Sequence, residues 1–327
     1  MHFTPEVHIF INGVHFYRVN QVTIEKSTEI LEDTAIIKIP ATARLNYSGH
    51  TYKGPSAKVF KVGDFVEITL AYKGVFEKTE FRGFVKKIHP TQPLELECED
   101  WTWELRRKNI QKSWKKTTLK EVLQEIVSGT GIELSADVPP ITFEPFYIDN
   151  SDAAFALQKL KDEYGLAIYF QEDGKLYAGL AYAQNTGVVK YHLNGAKVNV
   201  IDANSLKWRS KDDVKMKVKA ISINKDNTRT EVEFGDKAGS IKTIHLYNVK
   251  SKAELEELAK KELDRIKFDG YEGSIKSFLI PEAIPGMTAE VTDIDFPERS
   301  GSYYVESVKT TFGTGGARRT VKLGIQL

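Results

Sequence analysis

Cysteine is all but missing from this sequence. Cys98 stands alone among 327 residues, which excludes an intrachain disulfide and any metal site built from several thiolates. Its place on an alternating strand makes it a small buried hydrophobe rather than a reactive thiol. Long apolar runs are missing too: none approaches the roughly 18 residues that a membrane span needs. The N-terminal MHFTPEVHIF has no basic region followed by an apolar stretch, so no signal peptide is expected, and synthesis in a cytosol is. Neither sign of charge is in excess. Lys plus Arg number 46 and Asp plus Glu 45, which offers no whole-chain field to draw the protein to nucleic acid or to a membrane surface. Motifs of fixed spacing are lacking: there is no G-x-x-x-x-G-K-[ST], no G-x-G-x-x-G after a strand, no H-E-x-x-H and no G-x-S-x-G. The seven histidines (2, 8, 15, 50, 89, 192, 245) form no i,i+4 pair and no H-x-H, which argues against a zinc or iron site. No catalytic, cofactor-binding or metal-ligating residue is therefore assigned.

What the sequence does hold is one pattern used twice. Residues 61–100 and 284–327 each open with a Gly (Gly63, Gly286) before an alternating strand. In each, a second strand runs through Phe84-Val85 or Tyr304-Val305, and a turn leads to a last alternating strand, Leu94–Glu99 or Thr320–Ile325. Period-two alternation makes each strand half-buried, so each copy is a three-stranded meander and the pair predicts a duplicated β-domain.

Around these copies the chain reads in order. Val7–Ile11, Asn12-Gly13 and Val14–Val19 form a hairpin, because Asn-Gly tolerates the positive φ of a tight turn. Val22–Lys26 and Thr34–Pro40 continue the sheet, and residues 41–60, with Gly and Pro but no clean period, read as a long surface loop. Thr117 or Thr118 caps a helix with Leu119, Val122, Leu123, Ile126 and Val127 on one face, ended by Gly129. Ser151 is expected to cap a second, with Phe155, Leu157, Leu160 and Tyr164 apolar and Gly165 as its stop. Leu166–Phe170 and Lys175–Leu180 form a hairpin about the 172–174 turn. Strands resume at Val214–Ile223, Arg229–Phe234 and Ile241–Tyr247, and a capping box of Ser251 and Glu254 opens a helix through Ile266. The fold class is mixed β and α+β: two similar β-barrel-like domains, over 1–108 and over 204–240 with 276–327, an α+β insertion at 109–203, and a strand–helix–strand excursion at 241–275.

Three groups of residues merit a chemical reading. Glu97, Glu99 and Asp100, or Asp293 and Asp295, are paired carboxylates of the kind a glycosidase uses; the alternative is a charged, solvated strand edge. Trp101, Trp103 and Trp114 lie among Arg106, Arg107, Lys108, Lys112, Lys115 and Lys116, a combination that stacks single-stranded bases, or else a domain junction with packed indoles and solvated charges. The turn Gly313-Thr314-Gly315-Gly316, followed by Arg318-Arg319, is either an anion-binding nest or a hairpin tip.

The order of elements resembles the baseplate hub proteins of contractile phage tails, the late-control protein D type, which are similar to the hub portion of type VI secretion spike proteins. The likeness rests on Ile24-Glu25-Lys26-Ser27 leading to Asp33-Thr34-Ala35-Ile36-Ile37-Lys38-Ile39-Pro40, and on Val62-Gly63-Asp64 with Phe81-Arg82-Gly83-Phe84-Val85. Glu97-Cys98-Glu99-Asp100, Thr118-Leu119-Lys120-Glu121-Val122-Leu123, and Ile284-Pro285-Gly286 with Gly301-Ser302-Tyr303-Tyr304-Val305 extend it over nearly the whole chain. What the resemblance implies is a non-enzymatic, structural role in a virion or phage-derived injection particle. Two tube domains per subunit would alternate around a homotrimeric ring, meeting a sixfold tail tube on one side and a threefold spike on the other. The implied partners are a tail tube or tube-initiator protein and a tape-measure protein. Since the sequence stops at Leu327 without a β-helical spike or hydrolase segment, the spike is expected as a separate chain.

Overall fold

The computed structural model describes residues 3–47, 50–164, 166–180, 186–223, 228–247, 249, 251–267 and 269–327. The first β-domain begins with β1 (Pro5–Ile11) and β2 (Val14–Phe16). Asn12 and Gly13 join them at φ 43° and 87°, the left-handed geometry of a two-residue hairpin. Next come β3 (Gln21–Ser27) and β4 (Thr34–Ile39). Residues 41–60 are not a loop: β5 (Thr42–Tyr47) pairs with β6 (His50–Pro55), and a short 3-10 turn follows at Ser56–Lys58. Polar residues fill both phases of that stretch, so there was no apolar period to read, while main-chain hydrogen bonding forms strands regardless of side chain. The domain is completed by β7 (Phe65–Tyr72), β8 (Phe76–His89) and β9 (Leu94–Glu99). Its core holds Ile9, Ile37, Ile68, Leu70, Leu96 and Cys98, each large aliphatic side chain stabilising the fold by about 1.5–3 kcal/mol on burial.

The insertion follows α1 (Thr102–Arg106) and contains β10 (Asn109–Trp114), β11 (Thr117–Thr118) and α2 (Leu119–Val127). Thr118 caps α2: its hydroxyl accepts from the Glu121 N–H at 3.3 Å, and the Glu121 carboxylate accepts from the Thr118 N–H at 2.8 Å. Then come β12 (Thr142–Phe143), β13 (Phe146–Asp152), α3 (Ala153–Tyr164), β14 (Leu166–Phe170) and β15 (Leu176–Leu180). The expected cap of α3 is corrected. Ser151 pairs with Ile110 in the β10–β13 ladder, and the carboxylate of Asp152 accepts from the Phe155 N–H at 2.8 Å. Phe155 lies on the open face of α3 rather than in the core.

The second β-domain starts earlier than expected, with β16 (Val188–His192), β17 (Val200–Asp202) and β18 (Lys207–Arg209). The chain then leaves it for β19 (Met216–Ile223), β20 (Arg229–Gly235), β21 (Ser240–Tyr247) and α4 (Lys252–Ile266). These make a separate three-stranded sheet in the order β20-β19-β21, cored by Val218, Ala220 and Val232 against Leu255, Ala259 and Leu263. The expected boundary at residue 240 therefore falls inside this unit, and the one at 203 cuts β16 and β17 from their sheet. Alternation shows that a strand is half-buried but not which apolar face will cover it; here the face of α4 decides. The chain returns through β22 (Gly270–Ser277), β23 (Thr288–Thr292), β24 (Gly301–Gly313) and β25 (Gly316–Gln326).

The two meanders share a register over most of their length, apart from one further irregularity in β24 between Tyr303 and Val305. The Gly63 N–H donates to the Val85 carbonyl at 2.8 Å and the Gly286 N–H to the Val305 carbonyl at 2.9 Å, and both glycines sit at φ 91°. Phe65 opposes Phe84 as Thr288 opposes Tyr304. Ile88 opposes Leu96 as Val308 opposes Val321. Both middle strands carry an irregularity at the corresponding place, between Val85 and Lys87 and between Val305 and Ser307. The correspondence extends outward: β22 lies against β25 as β4 lies against β9, and β17 with β18 lies against β22 as β3 lies against β4.

Candidate functional site at the seam between the β-domains

The two β-domains join edge to edge. β24 pairs antiparallel with β3, from Ser307 opposite Ser27 to Gly313 opposite Gln21, and merges both domains into one sheet. Lys309 opposes Glu25 in this ladder and bonds it at 2.7 Å. Behind the seam, Leu279 and Ala317 of the second domain lie in the core of the first. The Tyr72 hydroxyl donates to the Ala317 carbonyl at 2.9 Å and accepts from the Leu279 N–H at 3.3 Å. Arg319 and Glu80, both buried, bond across the seam at 2.5 Å, and a second guanidinium nitrogen donates to the Ala283 carbonyl at 2.7 Å.

Where the insertion meets this seam a cleft of about 370 Å³ is lined by Lys26, Asp33, Tyr169, Phe170, Glu172 and Ile284, among others. The β14–β15 turn brings Glu172 within 2.6 Å of Lys26 and 2.8 Å of Lys78, and Lys78 also bonds Glu282 at 2.5 Å. One carboxylate thus ties the insertion to the first domain, and Lys78 ties both to the second. Burial disfavours the Lys26 charge, but Glu172 and Asp33 more than restore it and raise its pKa. Shielding from water would raise Glu172, yet Lys26 and Lys78 hold it below the usual carboxylate range. Asp33 lines this cleft and donates its backbone N–H to the carboxylate of Asp100, which lies against the neighbouring cleft, at 2.9 Å. Loss of water pushes Asp33 up to about 8 and Asp100 up to about 7, the charge of Asp100 adding to the first shift and that of Glu99 to the second.

The residues singled out from sequence are mostly spent on holding structure. Glu99 is buried between Lys86, at 2.7 Å, and Arg106, at 2.6 Å. Glu97 bonds His89 at 2.5 Å, and Asp100 accepts from the Thr102 N–H at 2.8 Å. Asp293 accepts from Asn194 at 2.7 Å and from the N–H groups of Asp295 and Phe296, and Asp295 accepts from Asn194 at 2.6 Å, so the pair shapes a loop. Trp103 stacks on Phe84 at 5.0 Å under the Arg107 guanidinium, and Trp114 packs near Phe146 at 6.0 Å. Trp101 sits edge-on to Phe84 at 5.3 Å. The basic run is also used internally. Lys108 caps the end of α2 by donating to the carbonyls of Glu125, Ile126 and Ser128 at 2.6–3.0 Å, and Lys112 bonds Glu125 and Lys116 bonds Glu144. The Gly313–Gly316 tip closes the β24–β25 hairpin, with Arg318 over Phe278 and Arg319 turned inward, so the two arginines do not converge on the tip.

Lys26, Asp33, Lys78, Glu80 and Glu172 escaped the sequence reading because they meet partners far off in the sequence, from 67 residues for Asp33 and Asp100 to 239 for Glu80 and Arg319. Arg319 alone left a trace: it occupies the inward phase of Arg319, Val321 and Leu323, where an aliphatic residue belongs. Among the described residues no helix is long and apolar enough to cross a membrane.

No family model and no curated protein matches this sequence. Solved structures do. The tail protein from Neisseria meningitidis MC58 superposes with a TM-score of 0.67 at 14% identity, over 99% of this chain and 97% of that one. The 43 kDa tail protein of prophage MuSo2 from Shewanella oneidensis gives 0.63 at 15% identity, over 97% of both. An Escherichia coli component of the type VI secretion system, described as structurally similar to phage T4 tail proteins, gives 0.54 at 9% identity, over 96% of this chain and 76% of that one. The likeness read from the order of motifs is thus borne out as one of architecture: this chain has the mixed β and α+β fold of phage tail proteins.

Proposed function

We propose that the protein is a structural, non-enzymatic component of a contractile tail baseplate: a hub whose homotrimer joins the tail tube to the spike. The observation that carries this reading is the pair of β-domains with one shared register, fused through β3 and β24. A chain that presents one domain twice offers six similar faces when three copies close a ring, and closure satisfies strand edges that a monomer leaves open. The fold's likeness to tail proteins and to a type VI component supports the same reading. Its place is then the virion tail, assembled with tube and tape-measure proteins. The test is the mass of the purified chain by light scattering, with negative-stain images. A three-chain ring with a central hole is expected; a monomer at micromolar concentration overturns the proposal.

A further inference from the structure

The internal seam is made by two edges, and each has a counterpart whose outer side meets no strand among the described residues. β3 pairs with β4 on one side and with β24 on the other. Its counterpart in the second domain, β18, has β22 on one side and no strand on the other among the described residues. β24 uses its far half, Ser307–Gly313, to hold β3 while the same half holds β25. The corresponding half of β8, Lys87–His89, holds β9 alone. Each chain therefore carries one seam already made and both halves of a second.

We infer that β18 of one copy adds to the far half of β8 in the next copy, repeating the β3–β24 seam between chains. This rests on the ring reading above and names the contact that closes it. The shared register dictates the pairs: Ile88 opposite Trp208, as Val308 is opposite Lys26; His89 opposite Lys207, as Lys309 is opposite Glu25; and Lys87 opposite Arg209, as Ser307 is opposite Ser27. Side-chain chemistry fits. Trp208 is 52% exposed, and Ile88, which this pairing would set opposite it in the next copy, is half-buried. Laying that indole across Ile88 removes apolar surface from water on both chains. At the next position the internal ion pair recurs with its sign reversed. Lys207 carries the positive charge, and the negative side is the half-exposed group in which Glu97 bonds His89 and a Glu95 carboxylate oxygen lies within 4.8 Å of both. Lys87 faces Arg209, whose charge is met by Glu272 at 3.5 Å. Trp208, Tyr271, Arg299 and Phe296 continue as a row of stacked groups beside the edge, with Trp208 and Phe296 exposed at its two ends.

The test uses the full chain with Ile88→Cys and Trp208→Cys together, Cys98 being buried and unreactive. Residues directly opposite in an antiparallel pair have Cα atoms about 4.5–5.5 Å apart, within the span of a disulfide. Oxidation with oxidised glutathione should yield dimer and closed trimer bands that vanish on reduction, with neither single variant cross-linking to trimer. Trp208→Asp, at an exposed position, should lower the mass from trimer to monomer while leaving the circular dichroism unchanged. A wild-type trimer in which the pair fails to cross-link and Trp208→Asp stays trimeric overturns this contact and leaves the ring standing. A wild-type monomer overturns the ring, and a cross-linked ladder that runs on past three chains confirms the edge but overturns closure at three.

Discussion

Lys26 and Asp33 in the first β-domain correspond, by register, to Trp208 and Tyr271 in the second. One backbone frame thus carries Lys26 beside Asp33 at the seam the chain makes for itself and a T-shaped aromatic pair, 5.3 Å between centroids, at the edge that meets no strand among the described residues. The difference follows from what each edge must hold. At the inner seam, three units of distant sequence meet at one point, and Glu172 can bind Lys26 and Lys78 in one geometry only. Such directional contacts fix a unique arrangement at a cost in desolvation. An edge open to water in the single chain carries neither that burden nor that constraint, and an indole there leaves its apolar surface for a partner.

The comparison breaks most sharply at Arg319. Its counterpart in the first domain is Leu94, buried like it. Glu80→Ala should destabilise by about 3–5 kcal/mol, because it strands a buried guanidinium. Glu80→Leu with Arg319→Leu should recover most of that loss, since an apolar pair leaves no charge to satisfy; chemical denaturation measures both. Gly63 and Gly286 sharpen it next. They share φ 91°, so alanine at either costs about 1–2 kcal/mol. A Cβ at Gly63 would also lie 2.9 Å from the Trp103 ring, against 3.3 Å from the Thr186 hydroxyl at Gly286. Gly63→Ala should therefore show the lower melting temperature of the two.

Titration separates the charged seam from the aromatic edge. Asp33 and Asp100 have folded pKa values above the unfolded carboxylate range. Their stabilising contribution is thus complete at low pH and is lost as pH rises through about 7 to 8, by at most ~1.4 kcal/mol per unit for each group. Glu172 is shifted the other way, and its contribution disappears as pH falls through its lowered pKa. Stability should increase from pH 8 to pH 6, and Asp100→Asn, at the more deeply buried of the two aspartates, should flatten that rise. An unchanged slope in the variant would sink this assignment. The smallest effect is expected at Lys309→Ala, which removes the exposed bond to Glu25 and should cost only about 0.2–1 kcal/mol, less still at high salt.

Much of the frame was legible because it is written in local periods. The Asn12-Gly13 hairpin, the Thr118 and Ser251 caps and the two Gly-led meanders all follow from rules that act within a few residues. Errors came where locality fails. Ser151 had the chemistry of a cap, but its backbone was taken by the ladder with Ile110, and Asp152 capped instead. Val214–Ile223 has the alternation of any half-buried strand, and which sheet its Met216–Ile223 portion joins is decided by α4. The paired carboxylates looked available until Lys86, Arg106, His89 and Asn194 were brought against them.

By itself the sequence determined strands, turns, caps and the fact of repetition, since backbone preference and side-chain alternation act between near neighbours. Tertiary structure alone decided that the repeats fuse edge to edge, that an arginine takes an aliphatic position, and that the open edge is aromatic where the closed one is charged. Those outcomes depend on which residues meet from distant parts of the sequence, and only the folded chain brings them into contact.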